Sequence, residues 1–514
     1  PEHLKARAQL AAAYQDKGNF QMAAEQYKKI LQSQPQNFTM QFNQGACLLA
    51  LKDYSGAAEA LSKAVKIDGS VAEAHALLGQ TEAARGRLPE AISELRGALA
   101  IKQDRADWYA QLGDALSKQK DFTGAIEAYR QSQNLNPQDT ATGYSLGYVL
   151  QTTGQLDDAA RAFEHVVKLN PNYTNAHYNL GIIKQKQKDL PGAEAEFKRV
   201  LALNPNDGQA YINLGRTLLL QGDLNQAVGF YRHGLSIEPT DPAAFQELGA
   251  ALVKLKDYVG ARSALESALG LAPNDRGAII SIANLESLEG TPSKGEFRIR
   301  QLLTNAPNDT ELLNLLADNL IQQGKVDAAI ESYQRIIQLT PRSAEAFNDL
   351  GLALSRKDDV SGASAMYKKA IELDSQFVEP LINLGNVYLG LRKYEEAGAQ
   401  YQKALVLKPD SVLAHYNMGL VETGKENMEN ALTEYQKAVQ LDKTYANAFY
   451  AMGCLYQARN ETEQALSNYE KYLSLEPSGP YASNVKEAIE KIRPSTAPTT
   501  APETAGETTS GAPL

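Results

Sequence analysis

Six histidines and two cysteines are the residues of this chain best suited to metal binding or nucleophilic chemistry. Zinc takes imidazole nitrogen and thiolate sulfur, from ligands that come in closely spaced sets. No His-x3-His pair and no Cys/His cluster stands in the sequence. His75, His177 and His415 instead differ by multiples of 34 residues, so they share one position of a period and read as packing residues. Cys47 and Cys454 are too distant to pair and read as two free thiols. No G-x4-G-K-[ST] phosphate loop occurs. The Asp/Glu pairs lie on repeating helical surfaces, where a solvated face explains them better than acid/base work. The sequons at Asn37, Asn172, Asn308 and Asn460 are no more than chance supplies at this length. No catalytic residue, metal or cofactor is expected, and the chain does not read as an enzyme.

Composition narrows the class further. At 514 residues the chain exceeds what one hydrophobic core usually serves, so several domains or a repeat array are expected. A net charge of −10, from 51 basic and 61 acidic residues, argues against a nucleic-acid partner, and no Lys/Arg stripe is visible. No apolar run is long enough for a membrane span, and a soluble protein is expected. From Pro1 onward no charged-then-apolar leader pattern is read. Ala/Gln/Lys/Asp-rich loops point to a bacterial protein, with the compartment open between cytoplasm and periplasm.

One period organises the chain. Leu-Gly recurs at Leu78-Gly79, Leu112-Gly113, Leu146-Gly147, Leu180-Gly181, Leu214-Gly215 and Leu248-Gly249, each step 34 residues. It resumes in phase at Leu350-Gly351 and Leu384-Gly385, then as Met418-Gly419 and Met452-Gly453. With that Gly as position 8, fourteen units begin at 4, 38, 72, 106, 140, 174, 208, 242, 276, 310, 344, 378, 412 and 446 and fill residues 4–479. A helical Gly costs about 1 kcal/mol against Ala. Its persistence therefore means that another helix comes too close for a larger side chain. Position 20 is Ala in thirteen units and is read as the facing contact of the second helix, with Gly295 the exception. Position 24 is large, as in Tyr27, Tyr129, Phe163, Phe197, Tyr231 and Tyr333. Position 32 is Pro in ten units and ends the second helix.

These residues resemble the tetratricopeptide repeat, with its large residue at 4, Leu-Gly at 7 and 8, Ala at 20, aromatic at 24 and Pro at 32. The resemblance covers residues 4–479 and implies an all-α fold, a right-handed α-solenoid superhelix of helix-turn-helix hairpins with about two turns. Residues 1–3 form an N-terminal stub. Residues 480–493, with Val485, Ala488 and Ile489 apolar, read as a helix capping the last hairpin. Residues 494–514 are Thr/Pro/Ala-rich and disordered by composition. The unit at Arg276 departs most, with Gly-Thr-Pro-Ser-Lys-Gly at 290–295. It reads as ordinary drift or as a softer joint between units 1–8 and 10–14.

In the family, positions 2, 5, 6, 9, 12 and 13 of each first helix line the concave surface, and spacings of three and four put them on one face. Units 5–7 there offer Tyr144, Tyr148, Tyr178, Asn179, Ile182, Ile212, Asn213 and Arg216. Units 10–12 offer Glu311, Glu345 and Glu379 at position 2, with Asp318 and Asp349 beside them. Units 12–14 offer Asn383, Asn386, Tyr416, Asn417 and Tyr450. Paired asparagines at position 6 resemble the ladder of O-linked N-acetylglucosamine transferase, whose amides grip an extended peptide backbone. The alternative is that Asn is simply common there. The dicarboxylate clamp of chaperone-binding repeats needs Lys at position 5, and no unit has it. The resemblance implies a non-catalytic scaffold binding extended segments or partner proteins in the groove. A structural subunit of a large assembly and a regulatory arm for a glycosyltransferase on another chain are the rivals.

Overall fold

The computed structural model describes residues 2–492. The stretch 494–514, read above as disordered, lies outside them. Among the described residues there are 29 helices and no strand. They alternate as first and second arms of hairpins, for example Thr174–Lys186 and Leu190–Leu203.

The turn between the arms has a local cause. Position 15 is left-handed throughout, as Gly at Gly18, Gly86 and Gly222 but as Lys at Lys52, Lys120, Lys188 and Lys256, with φ near 60°. The next residue is often Asp, whose carboxylate caps the second helix. Asp189 accepts from the Gly192 N–H at 3.0 Å, and Asp53, Asp121 and Asp257 repeat the contact at Gly56, Gly124 and Gly260. A side-chain cap of this kind offsets the strain of the non-glycine residues before it.

The chain divides into two compact units, one through Ser281 and one from Ile282. The first has a core running through Leu95, Trp108, Tyr129, Phe163 and Ile183. In the second, Tyr367, Tyr401, Tyr435 and Tyr469 play the same part. Within each unit, first helices of successive hairpins touch, as Ala106–Lys118 touches Thr140–Thr152 and Ala344–Arg356 touches Val378–Gly390. Second helices do not pack on one another to that extent. First helices therefore line the tighter, inner face.

What presses on the position-8 glycine is the large side chain at position 24, a ring in most hairpins and Leu61, Leu95 or Leu265 in three. A Cβ on Gly113 would lie 2.6 Å from the Tyr129 ring, on Gly147 2.7 Å from Phe163, and on Gly385 2.5 Å from Tyr401. The alanine at position 20 is fully buried beside this contact without being its main surface. Burying such rings is worth about 1.5–3 kcal/mol each, which offsets the helical cost of the glycine.

The irregular hairpin is Arg276–Leu288 with Pro292–Asn305. A Cβ on Gly295 would lie 2.7 Å from the Ala283 carbonyl oxygen and 2.9 Å from the Asn319 amide nitrogen. Asn319 is buried and donates to Ser287 Oγ at 2.7 Å. The departure at Gly295 thus makes room for a buried amide from the next hairpin. At the far end the helix Ala482–Ile492 lays Ala482, Val485 and Ile489 on Tyr469 and Tyr472. Among the described residues no helix is long and apolar enough to cross a membrane.

Candidate functional site

In the first unit the inner face of hairpins five to seven carries the aromatic and amide residues. Tyr144 stacks on Tyr173 with centroids 5.2 Å apart and leans on Phe163. Tyr178 meets Phe197 edge-on, and burial pushes its phenol up. Asn179 Nδ2 donates to the Tyr144 hydroxyl at 3.1 Å and to the Asn175 carbonyl at 3.0 Å. One hairpin on, Asn213 Nδ2 donates to the Tyr178 hydroxyl at 2.9 Å and to the Gln209 carbonyl at 3.0 Å. Asn213 Oδ1 accepts from Arg216 at 2.8 Å, and the residue is only 4% exposed. These amides bridge neighbouring hairpins within the chain and hold the tyrosines in place. A grip on a passing backbone would require them to exchange those bonds.

Arg216 is committed as well. Its guanidinium meets Glu247 at 2.9–3.0 Å, and Tyr231 donates to the same carboxylate at 2.8 Å. Burial works against the Arg216 charge, but Glu247 outweighs it and the pKa is raised. Two large apolar side chains stay open, Tyr148 at 55% exposed and Leu220 at 58%, with Ile182 half-buried between them in sequence and Thr152, Asn175 and Lys186 exposed at neighbouring positions.

The second unit differs. Asp318, Glu345 and Asp349 line a cavity of about 330 Å³ with Asn314, Tyr333 and Arg356. Tyr333 donates to Asp318 at 2.8 Å, and Asn348 donates to Asp349 at 3.2 Å. Burial pushes the Asp349 carboxyl up to about 6, with Glu345 and Asp318 adding to it against the Asn348 hydrogen bond. Glu311 and Glu379 are exposed at the corresponding position but do not line this cavity.

Further along, Asn383 donates to Asn348 at 2.9 Å and Asn417 to Asn386 at 2.8 Å, so these amides also bridge hairpins. Tyr416 packs against Tyr435 and Tyr445, and burial pushes its phenol up. Tyr450 lies under Tyr481, stacked at 4.2 Å with the rings 5° from parallel. The end of the chain therefore covers that groove residue.

Two sets of residues escaped the sequence reading. Tyrosines at position 24 send their hydroxyls through to the inner face, Tyr129 to Asp114 at 2.7 Å and Tyr401 to Asn386 at 2.7 Å. The signal was present, because the partner sits fifteen residues earlier in both cases. The second set concerns the histidines. His75, His177 and His415 face Glu94, Glu196 and Glu434 at 2.6–2.7 Å through Nδ1, and the carbonyls of Gly69, Pro171 and Pro409 at 3.0–3.1 Å through Nε2. They do pack, yet each also ties its own second helix to the end of the preceding hairpin. Position 23 is Glu in these three units and in no other, so the pairing was legible as a correlation inside one chain. Cys47 and Cys454 are unpaired thiols, and burial pushes Cys47 up to about 11. Among the described residues no group of three or more His, Cys, Asp or Glu is placed to hold a metal ion.

Stacked helical hairpins with this spacing define an array of short helical repeats. Sequence profiles described as tetratricopeptide repeat match residues 9–72, 48–115, 106–139, 150–214, 185–252, 344–377 and 446–478. A profile described as TPR repeat matches 393–424 and 422–458, and that of the cytochrome c-type biogenesis protein H TPR domain matches 227–347. The chain belongs to the tetratricopeptide repeat family and is a long array of it. No curated protein matches it. Among solved structures it is similar to the APC/C hetero-tetramer Cut9-Hcn1, at 14% identity over 87% of this chain and 95% of that one, TM-score 0.38. Naa15/Naa10 bound to HypK-THB matches at 15% identity over 95% of this chain and 78% of that one, TM-score 0.38. YrrB, described as a TPR protein with an unusual peptide-binding site, matches at 22% over 36% of this chain and 96% of its own, TM-score 0.35.

Proposed function

We propose that the chain is a non-catalytic scaffold that holds an extended segment of a partner protein on the inner face of hairpins five to seven. The observation that carries this reading is a satisfied polar frame that leaves large apolar side chains exposed beside it. Asn179, Asn213, Arg216 and Glu247 hold one another and the tyrosines, while Tyr148 and Leu220 stand exposed. Aromatic side chains offer contact area at low entropic cost, and a few such anchors dominate an interface.

The discriminating substitutions are therefore the exposed ones. A displayed random-peptide library selected on the full chain should enrich segments with aromatic or aliphatic residues. Tyr148→Ala with Leu220→Ala should lose those segments while helical content is unchanged. If the same peptides are enriched on the double variant, the groove reading fails and the structural-subunit reading moves ahead.

A further inference from the structure

The repeat supplies its own control for the outer face. Position 4 of each first helix and position 23 of the following second helix face the same space near the preceding second helix. In hairpins three, six and thirteen a His–Glu pair fills it. Arg7 with Gln26 fills it in hairpin one at 3.0 Å, and Tyr211 stacked on Phe230 in hairpin seven. Hairpin five has Gly143 at position 4 and Ala162 at position 23, and there Gln133 of the preceding second helix comes in beside the glycine, donating to the Asp139 carbonyl at 2.7 Å. No other unit has Gly at position 4.

A socket of about 470 Å³ lies there between the helices Phe122–Leu135 and Leu156–Leu169, and hairpin two carries one lined at the same repeat positions, with Gln41 and Ala60 where hairpin five has Gly143 and Ala162. Its floor is Gly143, Leu146, Leu150 and Ala162, and its rim is Arg130, Arg161, His165 and Asp158. Arg130 and Arg161 both pair with Asp158, Arg130 at 2.8 Å. His165 donates from Nε2 to the Pro137 carbonyl at 2.9 Å. One carboxylate thus serves two guanidiniums, and the rim keeps an excess positive charge on a chain whose net charge is −10.

We infer that this socket is a second docking site, which takes an acidic, aliphatic segment of a partner protein. The aliphatic side chain sits on Leu146, Leu150 and Ala162, and the neighbouring carboxylate shares Arg130 and Arg161 with Asp158. Apolar floor and cationic rim together select this chemistry. A basic segment would face the two arginines, and a neutral one would leave them paired to Asp158 alone.

The test uses the full chain with methyl-labelled leucines and an acetylated, amidated peptide alternating Asp and Leu. That peptide should shift the Leu146 and Leu150 methyls saturably, and the binding should weaken with salt. Its Asn-for-Asp counterpart should bind about fivefold weaker, and its Lys-for-Asp counterpart should leave the methyls unmoved. Gly143→His with Ala162→Glu, and Gln133→Val to clear the carboxamide beside Gly143, installs the plug that three other hairpins already carry, and should abolish binding. Arg130→Gln with Arg161→Gln should weaken it about fivefold without plugging the socket, and decides the matter should the plugged variant not fold. Equal binding of the three peptides, or undiminished binding to the arginine variant, would overturn the proposal. The library selection reads Tyr148 and Leu220 on the other face, so the two sites can fail separately.

Discussion

Hairpins seven and eight and hairpins ten and eleven present the same frame with different charge. In each pair a position-24 tyrosine reaches the inner face, where position 9 of one hairpin adjoins position 6 of the next. The first pair has Arg216, Glu247 and Tyr231, a closed network in which the cation answers the carboxylate. The second has Asp318, Asp349 and Tyr333, two carboxylates around one phenol. Backbone and tyrosine recur in the two places within one chain, so position 9 decides whether the position-6 carboxylate meets a guanidinium directly or a second carboxylate.

The largest effect should come from breaking the closed member. Arg216→Ala leaves Glu247 partly buried without its cation and the Asn213 carbonyl without its donor. Stability of hairpins seven and eight should fall by about 2–3 kcal/mol. In a quasi-one-dimensional array the loss should stay local. Amide exchange resolved by hairpin checks this, and uniform loss along the chain would show that the two regions are not independent.

The open member should be sensitive to pH. Asp349 has a folded pKa of about 6, above the unfolded value of about 3.9, so the folded chain holds this proton more tightly. Stability of hairpins ten and eleven should therefore be greatest below about pH 4 and fall as pH rises through 6, by roughly 2 kcal/mol. Asp349→Asn should flatten that slope. Asp318→Arg, which copies the charge of position 216, should bring the Asp349 carboxyl down toward its ordinary range. Carboxyl NMR titration reads both, and an unmoved Asp349 in the arginine variant would break the comparison.

The smallest effect concerns the exposed glutamates. Changing Glu311, Glu345 and Glu379 together to Gln should weaken association of a Lys-rich peptide by no more than a few-fold, chiefly in the on-rate and only at low ionic strength. A loss that persisted in high salt would mean that these side chains become buried on binding.

Much of this was legible beforehand, for reasons particular residues make plain. Gly147 announces a helix pair because a helical glycine is costly unless something presses on it, although its sequence-read partner is Ala159 and the structure puts the Phe163 ring there. Asn213 shows the limit. Its place on the inner face is what the family resemblance implies, as is an amide gripping a partner's backbone, and the structure gives that amide to Tyr178, Gln209 and Arg216. Periodicity says which face a side chain occupies. It is silent on which of several neighbours within reach takes each hydrogen bond.

By itself the sequence determined the unit, its length and the order of small and large contacts, because these are local properties that fourteen copies repeat. Only the tertiary structure decided which polar groups satisfy one another and which surfaces stay open. Arg216 is committed because Glu247 stands 31 residues on, and the Asp349 carboxyl is pushed up because it is buried, with Glu345 and Asp318 adding to the effect. The rim of the socket beside Gly143 is set by Arg130 of one hairpin and Arg161 of the next meeting one carboxylate, Asp158. Hydrogen bonds and cavities depend on distances of a few tenths of an ångström between hairpins, and a 34-residue pattern does not carry that information.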